Sequence, residues 1–214
     1  MKPFLVVLSS PSGGGKTTIA RRLLAARADL GYSVSATTRA QRPGEVQGRD
    51  YHFLEAAEFE RRVSAGEFLE SATYGGFRYG TLRSEVERVL ASGRHVILDI
   101  EVEGARQVRR KFADAVQVFV LPPSAAVLLE RLRARKTESA ADLRNRLVTA
   151  GSEFAAVNEY DYVVVNDDLD HAVASVAGII DSEALKVRRQ DTLVSLADTL
   201  RREVSAEAAR LAQE

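Results

Sequence analysis

The 214-residue chain has no cysteine, which excludes disulfides and thiolate metal sites. It also lacks a net charge. Thirty Lys and Arg balance thirty Asp and Glu, so nothing indicates a general nucleic-acid binder or a membrane-surface protein. Recognition of an anion must then come from local arginine clusters. No run approaches the ~18 apolar residues of a membrane span. The start, Met1-Lys2-Pro3-Phe4, leads into a short apolar run that stops at a glycine-rich turn, which is not a signal-peptide pattern. The histidines His52, His95 and His171 show no ligand spacing and are expected to be structural or solvated. A cytoplasmic chain with neither nucleic-acid nor membrane partners is expected, its 45% hydrophobic and 28% charged residues being ordinary for a globular protein.

What the chain does have is Ser10-Pro11-Ser12-Gly13-Gly14-Gly15-Lys16-Thr17-Thr18, directly after Phe4-Leu5-Val6-Val7-Leu8. A buried strand that ends in a glycine-rich turn and runs into a helix builds a phosphate cradle. Consecutive glycines let backbone N–H groups converge without Cβ clashes, and the helix aims its positive dipole end at the anion. Lys16 adds a mobile positive charge, and the Thr17 hydroxyl stands where it could hold Mg²⁺. Ser10 replaces the first glycine of the usual G-x-x-x-x-G-K-[ST] pattern. The context predicts binding of a nucleoside triphosphate.

In chain order, residues 4–9 read as a strand and 16–28 as a helix. Residues 32–38 alternate like one strand. Residues 50–53 form a short strand candidate, 56–65 a helix, and 67–74 and 77–81 a hairpin around Gly75-Gly76. Strands without long helices between them suggest a small antiparallel insertion over 33–83, with Tyr32, Phe53 and Phe59 in its core. Helices are expected at 83–91, 104–111, 124–135 and 140–160, and apolar strands at 95–100, 115–121 and 162–165. From Leu169 to Glu214 the pattern is helical and charged, with no strong signal to split it. The expected fold is α/β: a P-loop NTPase-type parallel sheet flanked by helices (1–32, 84–123 and 161–214), a small mixed antiparallel insertion (33–83), and a helical lid with its connecting helix (124–160). Ligands of such a core bind at the C-terminal strand ends, where the phosphate loop and Asp99 both lie.

Residues Ser33 to Arg39 with Arg42-Pro43-Gly44-Glu45, Asp50-Tyr51, Phe68-Leu69-Glu70 and Tyr79-Gly80-Thr81 resemble the GMP-binding region of guanylate kinases. Leu98 to Gly104 resembles that family's core strand end, Arg131-Leu132 with Arg135 its lid, and Tyr160 to Asp167 its last strand. The resemblance runs in order from about residue 4 to 190. It implies ATP + GMP giving ADP + GDP, with dGMP as a further acceptor, in purine nucleotide metabolism. It puts ATP on Ser10 to Thr18, Arg135 and Asn166, and Mg²⁺ on Thr17 and Asp99. It puts the GMP phosphate on Ser35, Arg39, Arg42, Tyr51 and Tyr79, and guanine on Glu70, Thr81 and Glu101. Lys16, Arg39, Arg135 and Arg146 would surround the transferring group, while Arg133 and Arg144 are read as solvated. The chemistry fits, because guanine's N1–H and N2 amino group are donors that one carboxylate can accept together, and adenine offers none there.

Two other readings stand beside this one: a guanylate-kinase-like binding module, which the intact phosphate loop argues against, and a kinase for another nucleoside monophosphate, which Glu70 argues against. Departures from the family pattern are Ser10, Glu101 where Asp is frequent, Glu103 where Gln is frequent, and Lys136 after the lid arginine. Glu103 is expected to add negative charge near the phosphates. Whether the chain is a monomer or a homo-oligomer is left open by its sequence.

Overall fold

The computed structural model describes residues 1–134 and 140–212. The core is a parallel sheet of β1 (Leu5–Ser9), β2 (Leu30–Tyr32), β7 (His95–Asp99), β8 (Val116–Leu121) and β9 (Tyr162–Val165), in the order β2-β7-β1-β8-β9. Its central strands are nearly continuous apolar runs because helices cover both faces. On one face Val6, Leu8, Val118 and Val120 pack with Ile19 and Leu23 of α1 (Lys16–Ala26) and with Val176 and Ile180 of α7 (Leu169–Ala184). On the other face Val7, Val96 and Leu98 pack with Val86 and Val89 of α3 (Arg83–Ala91) and Val108 of α4 (Val102–Lys111). β1 is central, so the loop that leaves its C-terminal end opens at the middle of the sheet edge, beside the end of β7.

The insertion is a second, four-stranded sheet in the order β4-β3-β6-β5, from β3 (Ser35–Thr37), β4 (His52–Phe53), β5 (Phe68–Tyr74) and β6 (Phe77–Leu82). It is mixed: β3 runs parallel to β4 and antiparallel to β6. One face is apolar, where Phe59 of α2 (Ala56–Ser64) stacks on Phe68 with ring centroids 4.5 Å apart. The opposite face carries a polar row in register, Ser35 beside Thr81 and Thr81 beside Glu70. One step along, Thr37 pairs with Tyr79. Side chains two apart share a strand face, so the row continues from Ser35 and Thr37 towards Arg39.

Some sequence expectations are corrected. The alternating run 32–38 is two strands, not one: Tyr32 ends β2 beside Ile97 in the core sheet, and Ser35 begins β3 in the insertion. Tyr32 thus lies in the core sheet rather than in the insertion's core, where Phe59 is buried. Helix α4 starts at Val102, with Glu101 as its N-cap, not at Gly104. The helix read over 124–135 is α5 (Ala125–Arg133), whose Ser124 hydroxyl accepts the Val127 N–H. Helix α6 (Ala140–Ala155) passes into a 3₁₀ turn over Ala156–Glu159. The C-terminal segment is broken by a 3₁₀ turn at Val187–Arg189 before α8 (Asp191–Leu211). There Arg189, 4% exposed, lies over the Phe4 ring and reaches Glu183 at 3.4 Å, a tertiary lock invisible to local pattern. His95 has the structural role expected of it, its Nδ1 accepting the Phe4 N–H at 3.2 Å. No helix among the described residues is long and apolar enough to cross a membrane.

Candidate active site

The phosphate loop turns through Gly13 at φ +87° and Gly15 at φ +99°, conformations that a Cβ would strain. The Gly14 N–H bonds back to Pro11 O at 2.8 Å, and the Ile19 N–H to Gly15 O at 3.2 Å opens α1. Ser10 is buried, and its side chain fills the space that a Cβ on Gly14 would need, 2.7 Å from Ser10 Cβ. The departure at Ser10 is thus accommodated by Gly14. Pro11 is buried and Ser12 nearly so, whereas Thr17 and Thr18 stand exposed on the first turn of α1.

Lys16 lies at the centre of an acidic group. Its ammonium is 2.8 Å from Glu101 Oε1 and 3.8 Å from Asp99 Oδ1. Burial alone would lower the Lys16 pKa, but Glu101 and Asp99 outweigh it and hold the pKa above the ordinary lysine range. Burial raises the Asp99 pKa, against Lys16 and a hydrogen bond from Thr17. Asp99 Oδ1 has no hydrogen-bond donor among the described residues. An unfilled carboxylate oxygen beside a threonine hydroxyl is a pair of hard oxygen donors, the type that would suit Mg²⁺. The described residues contain no cluster of three His, Cys, Asp or Glu able to hold a metal by protein ligands alone.

On the insertion, the Thr81 hydroxyl donates to Glu70 Oε1 at 2.7 Å, and both residues are buried. Burial pushes the Glu70 pKa up to about 7, against the Thr81 hydrogen bonds. Gly104, on α4, closes the pocket from the other side, where an added Cβ would sit 2.5 Å from Glu70 Oε2. Gly104→Ala should therefore displace the carboxylate without touching the phosphate loop. We expect the Michaelis constant of the ligand that Glu70 holds to rise about tenfold, the cost of one misaligned charged hydrogen bond, with that of the triphosphate unchanged. Steady-state kinetics with each ligand varied in turn checks this.

Arg39 is buried, donates to Glu45 Oε1 at 2.7 Å, and lies over the rings of Tyr51 and Phe53 at 5.4 and 5.8 Å. Glu45, then burial, then the Tyr79 hydroxyl shape its pKa, with the net effect upward. Tyr51 and Tyr79 meet edge to face at 6.1 Å. The Glu45 carboxylate also accepts the Arg42 N–H at 2.8 Å, so one anionic group already occupies the fork formed by this loop. Burial raises the Tyr51 pKa, and Asp99 and Lys16 both act on it across the gap.

Several expected residues take positions that their motif did not specify. Glu101 is turned to Lys16, and its Oε1 does not join the Glu70–Thr81 bond. The Asn166 amide donates to Gly14 O at 2.9 Å and packs on Gly15, which pins the loop. Arg146 Nη1 reaches Ser12 Oγ at 3.2 Å. Ser35 is half-buried at the end of the polar row and Arg42 is exposed. Arg133 and Arg144 are exposed, as expected of solvated arginines. Glu103 does not add charge beside the phosphate loop: it is exposed on α4, paired with Arg106 at 3.6 Å and Arg110 at 3.8 Å. Arg135 and Lys136 lie outside the described residues.

Two further residues join the site: Arg131, read from the sequence only as part of the lid motif and given no contact of its own, and Glu153, which the sequence reading did not single out. Arg131 donates to Gly14 O at 3.4 Å and Asn166 O at 3.1 Å, clamping loop to strand end. Glu153, 6% exposed, meets Glu101 from α6. Burial first, and then the nearby Glu101 charge, push its pKa up to about 8. The available signal was the seven-residue interval from Arg146 to Glu153, two turns that bring both to one face of a helix.

The guanylate kinase family profile matches residues 2–183. Similar curated proteins include the guanylate kinase of Rubrobacter xylanophilus, 55% identical over 168 residues (78% of this chain and 88% of the relative). Another is that of Symbiobacterium thermophilum, 50% identical over 188 residues (88% and 89%). Among solved structures, the guanylate kinase from Anaplasma phagocytophilum superposes with a TM-score of 0.75 at 34% identity, covering 92% of this chain and 94% of that one.

Proposed function

The chain belongs to the guanylate kinase family and catalyses ATP + GMP giving ADP + GDP, and we propose that its two facing groups of side chains are the donor and acceptor halves of that reaction. The observation that carries this reading is the buried Glu70 carboxylate, hydrogen-bonded to Thr81 on the insertion. Residues 33–83 present the acceptor, 124–160 close over it, and the rest of the chain forms the core.

Glu70 accepts guanine N1–H and the N2 amino group, with Thr81 holding the carboxylate, Ser35 at the end of the row, and Glu101 reaching guanine from the N-terminus of α4 once Lys16 has left it. Arg39, Arg42, Tyr51 and Tyr79 take the GMP phosphate, which displaces the Glu45 carboxylate from Arg39. An arginine fork suits phosphate oxygens better than a point charge does. dGMP carries the same base and the same phosphate, and is proposed as a further acceptor.

At the donor half, backbone N–H groups from Ser10 to Thr18 cradle the triphosphate, and Asn166 and Arg131 keep the loop in shape. Thr17 and Asp99 would hold Mg²⁺, which would supply charge neutralisation to the triphosphate. Lys16 leaves Glu101 for the β- and γ-phosphate oxygens. A GMP phosphate oxygen attacks the γ-phosphorus in line, the bond to the β–γ bridging oxygen breaks, and ADP departs. Arg39 from the acceptor side and Arg135 and Arg146 from the lid neutralise the equatorial oxygens. Catalysis is then mainly positioning and charge stabilisation, and closure excludes the water that would otherwise hydrolyse ATP.

ADP release in a coupled assay tests the reading. ATP with GMP or dGMP should turn over, while AMP should give a kcat/KM lower by roughly 10⁴-fold, because it leaves the Glu70 carboxylate unpaired. A preference for AMP would overturn the assignment of Glu70.

A further inference from the structure

Gly104, Gln107 and Lys111 follow one another at a turn's spacing on α4, so they share one face of the helix. That face meets β5 around Glu70. Gly104 makes room for the carboxylate, as its close approach to Glu70 Oε2 shows. Gln107 takes both backbone groups of Ser71: its Oε1 accepts the Ser71 N–H at 3.2 Å, and its Nε2 donates to Ser71 O at 2.8 Å. The Lys111 ammonium donates to Leu69 O at 2.5 Å. The two residues that flank Glu70 in the chain are thus both bound to one helix. Neither Gln107 nor Lys111 has a part in the mechanism above.

The strand has need of such support. β5 is the edge strand of the insertion's sheet, so one side of its backbone has no strand to pair with. Its pairing with β6 also slips between Phe68 and Glu70, which leaves Leu69 as the bulged residue. Leu69 enters the core beside Leu98, Ile100 and Val108, while Glu70 bonds Thr81. A primary amide is donor and acceptor at once, so Gln107 stands in for one residue of the missing strand.

We propose that Gln107 is a positioning residue for guanine recognition, with Lys111 as its second: they fix the backbone on either side of Glu70 to α4, and so set where its carboxylate stands. The inference rests on the assignment of Glu70 to guanine.

A double-mutant cycle tests it. Gln107→Met keeps the volume and removes both bonds to Ser71, and Lys111→Met removes the bond to Leu69 O. Lys111 is exposed, so its variant carries the test if that of Gln107 does not fold. Each is made alone and together with Glu70→Gln, and the KM for GMP and for MgATP are measured in turn. The KM for GMP should rise about tenfold in Gln107→Met and about threefold in Lys111→Met, the scale of two and of one lost hydrogen bonds. The KM for MgATP should stay unchanged in both. In the Glu70→Gln background the same substitutions should add less than about twofold, because a residue that acts through Glu70 has nothing left to place. Equal rises in both KM values overturn the proposal, as does the full effect persisting in the Glu70→Gln background. A lower Tm with an unchanged KM for GMP overturns it too, since the contacts would then serve stability alone. If Glu70→Gln by itself leaves the KM for GMP at the wild-type value, the guanine assignment fails and the proposal with it. If it raises that KM while neither methionine variant does, only the role of Gln107 and Lys111 falls.

Discussion

Glu70→Gln is expected to raise the KM for GMP by roughly 10²-fold and to leave the KM for MgATP nearly unchanged, because two charge-assisted hydrogen bonds to guanine are lost or reversed. Glutamine keeps one acceptor, but its amide N–H₂ then faces a guanine donor. Neither the Lys16 loop nor its neighbours bond to Glu70, so the donor half has no reason to respond. The same carboxyl gives a pH signature. Burial raises its pKa from the ordinary 4.5 to about 7 in the folded chain. Guanine's donors need the ionised form, so the wild-type KM for GMP should fall as pH rises from 6 to 8, and the glutamine variant should lack that slope. Stability runs the other way. A folded pKa above the unfolded one contributes stability that is fully present below about pH 4.5 and is lost as pH rises through 7. Without nucleotide, the wild-type Tm should therefore decline relative to Glu70→Gln between pH 5 and 8. Equal losses of ATP and GMP affinity in the variant would make Glu70 structural instead.

How far the sequence could be read depended on whether the information was local. The run Leu5 to Leu8 before Gly13-Gly14-Gly15-Lys16 is legible because a parallel strand covered on both faces has no polar alternation, and because its turn needs glycine. The polar row Ser35, Thr81 and Glu70 was reachable only through family resemblance, since its members come from three strands and meet through register. The split at Ser33 and Val34 was not legible. Residues 32–38 have good strand character throughout, and what divides them is the choice of partner, Ile97 for Tyr32 and Thr81 for Ser35. Charged helix positions failed for a related reason. Arg131 and Glu153 look like residues of a solvated face, and only the packing of α5 and α6 against the phosphate loop gives them neighbours. Glu103 failed in the opposite direction: close in sequence to Asp99 and Glu101, it points outward because α4 begins at Val102 and turns it to solvent beside Arg106.

Lys16→Met should lower kcat by roughly 10²- to 10³-fold at saturating ATP and GMP, the loss typical of one preorganised group aimed at developing charge. The KM for MgATP should rise as well, because the triphosphate would then enter a site where Glu101, Asp99 and Glu153 face it without the ammonium that holds two of them at 2.8 and 3.8 Å. Removing that cation leaves buried carboxyls uncompensated, so the nucleotide-free variant should also unfold at lower temperature than the wild type. Saturating MgATP should restore little of that loss, which distinguishes a missing phosphate ligand from a merely loosened fold. Steady-state kinetics and thermal unfolding with and without MgATP decide the matter. A kcat within about tenfold of wild type, less than one such interaction supplies, would mean that Lys16 serves the acidic group around it and not the phosphoryl group in flight.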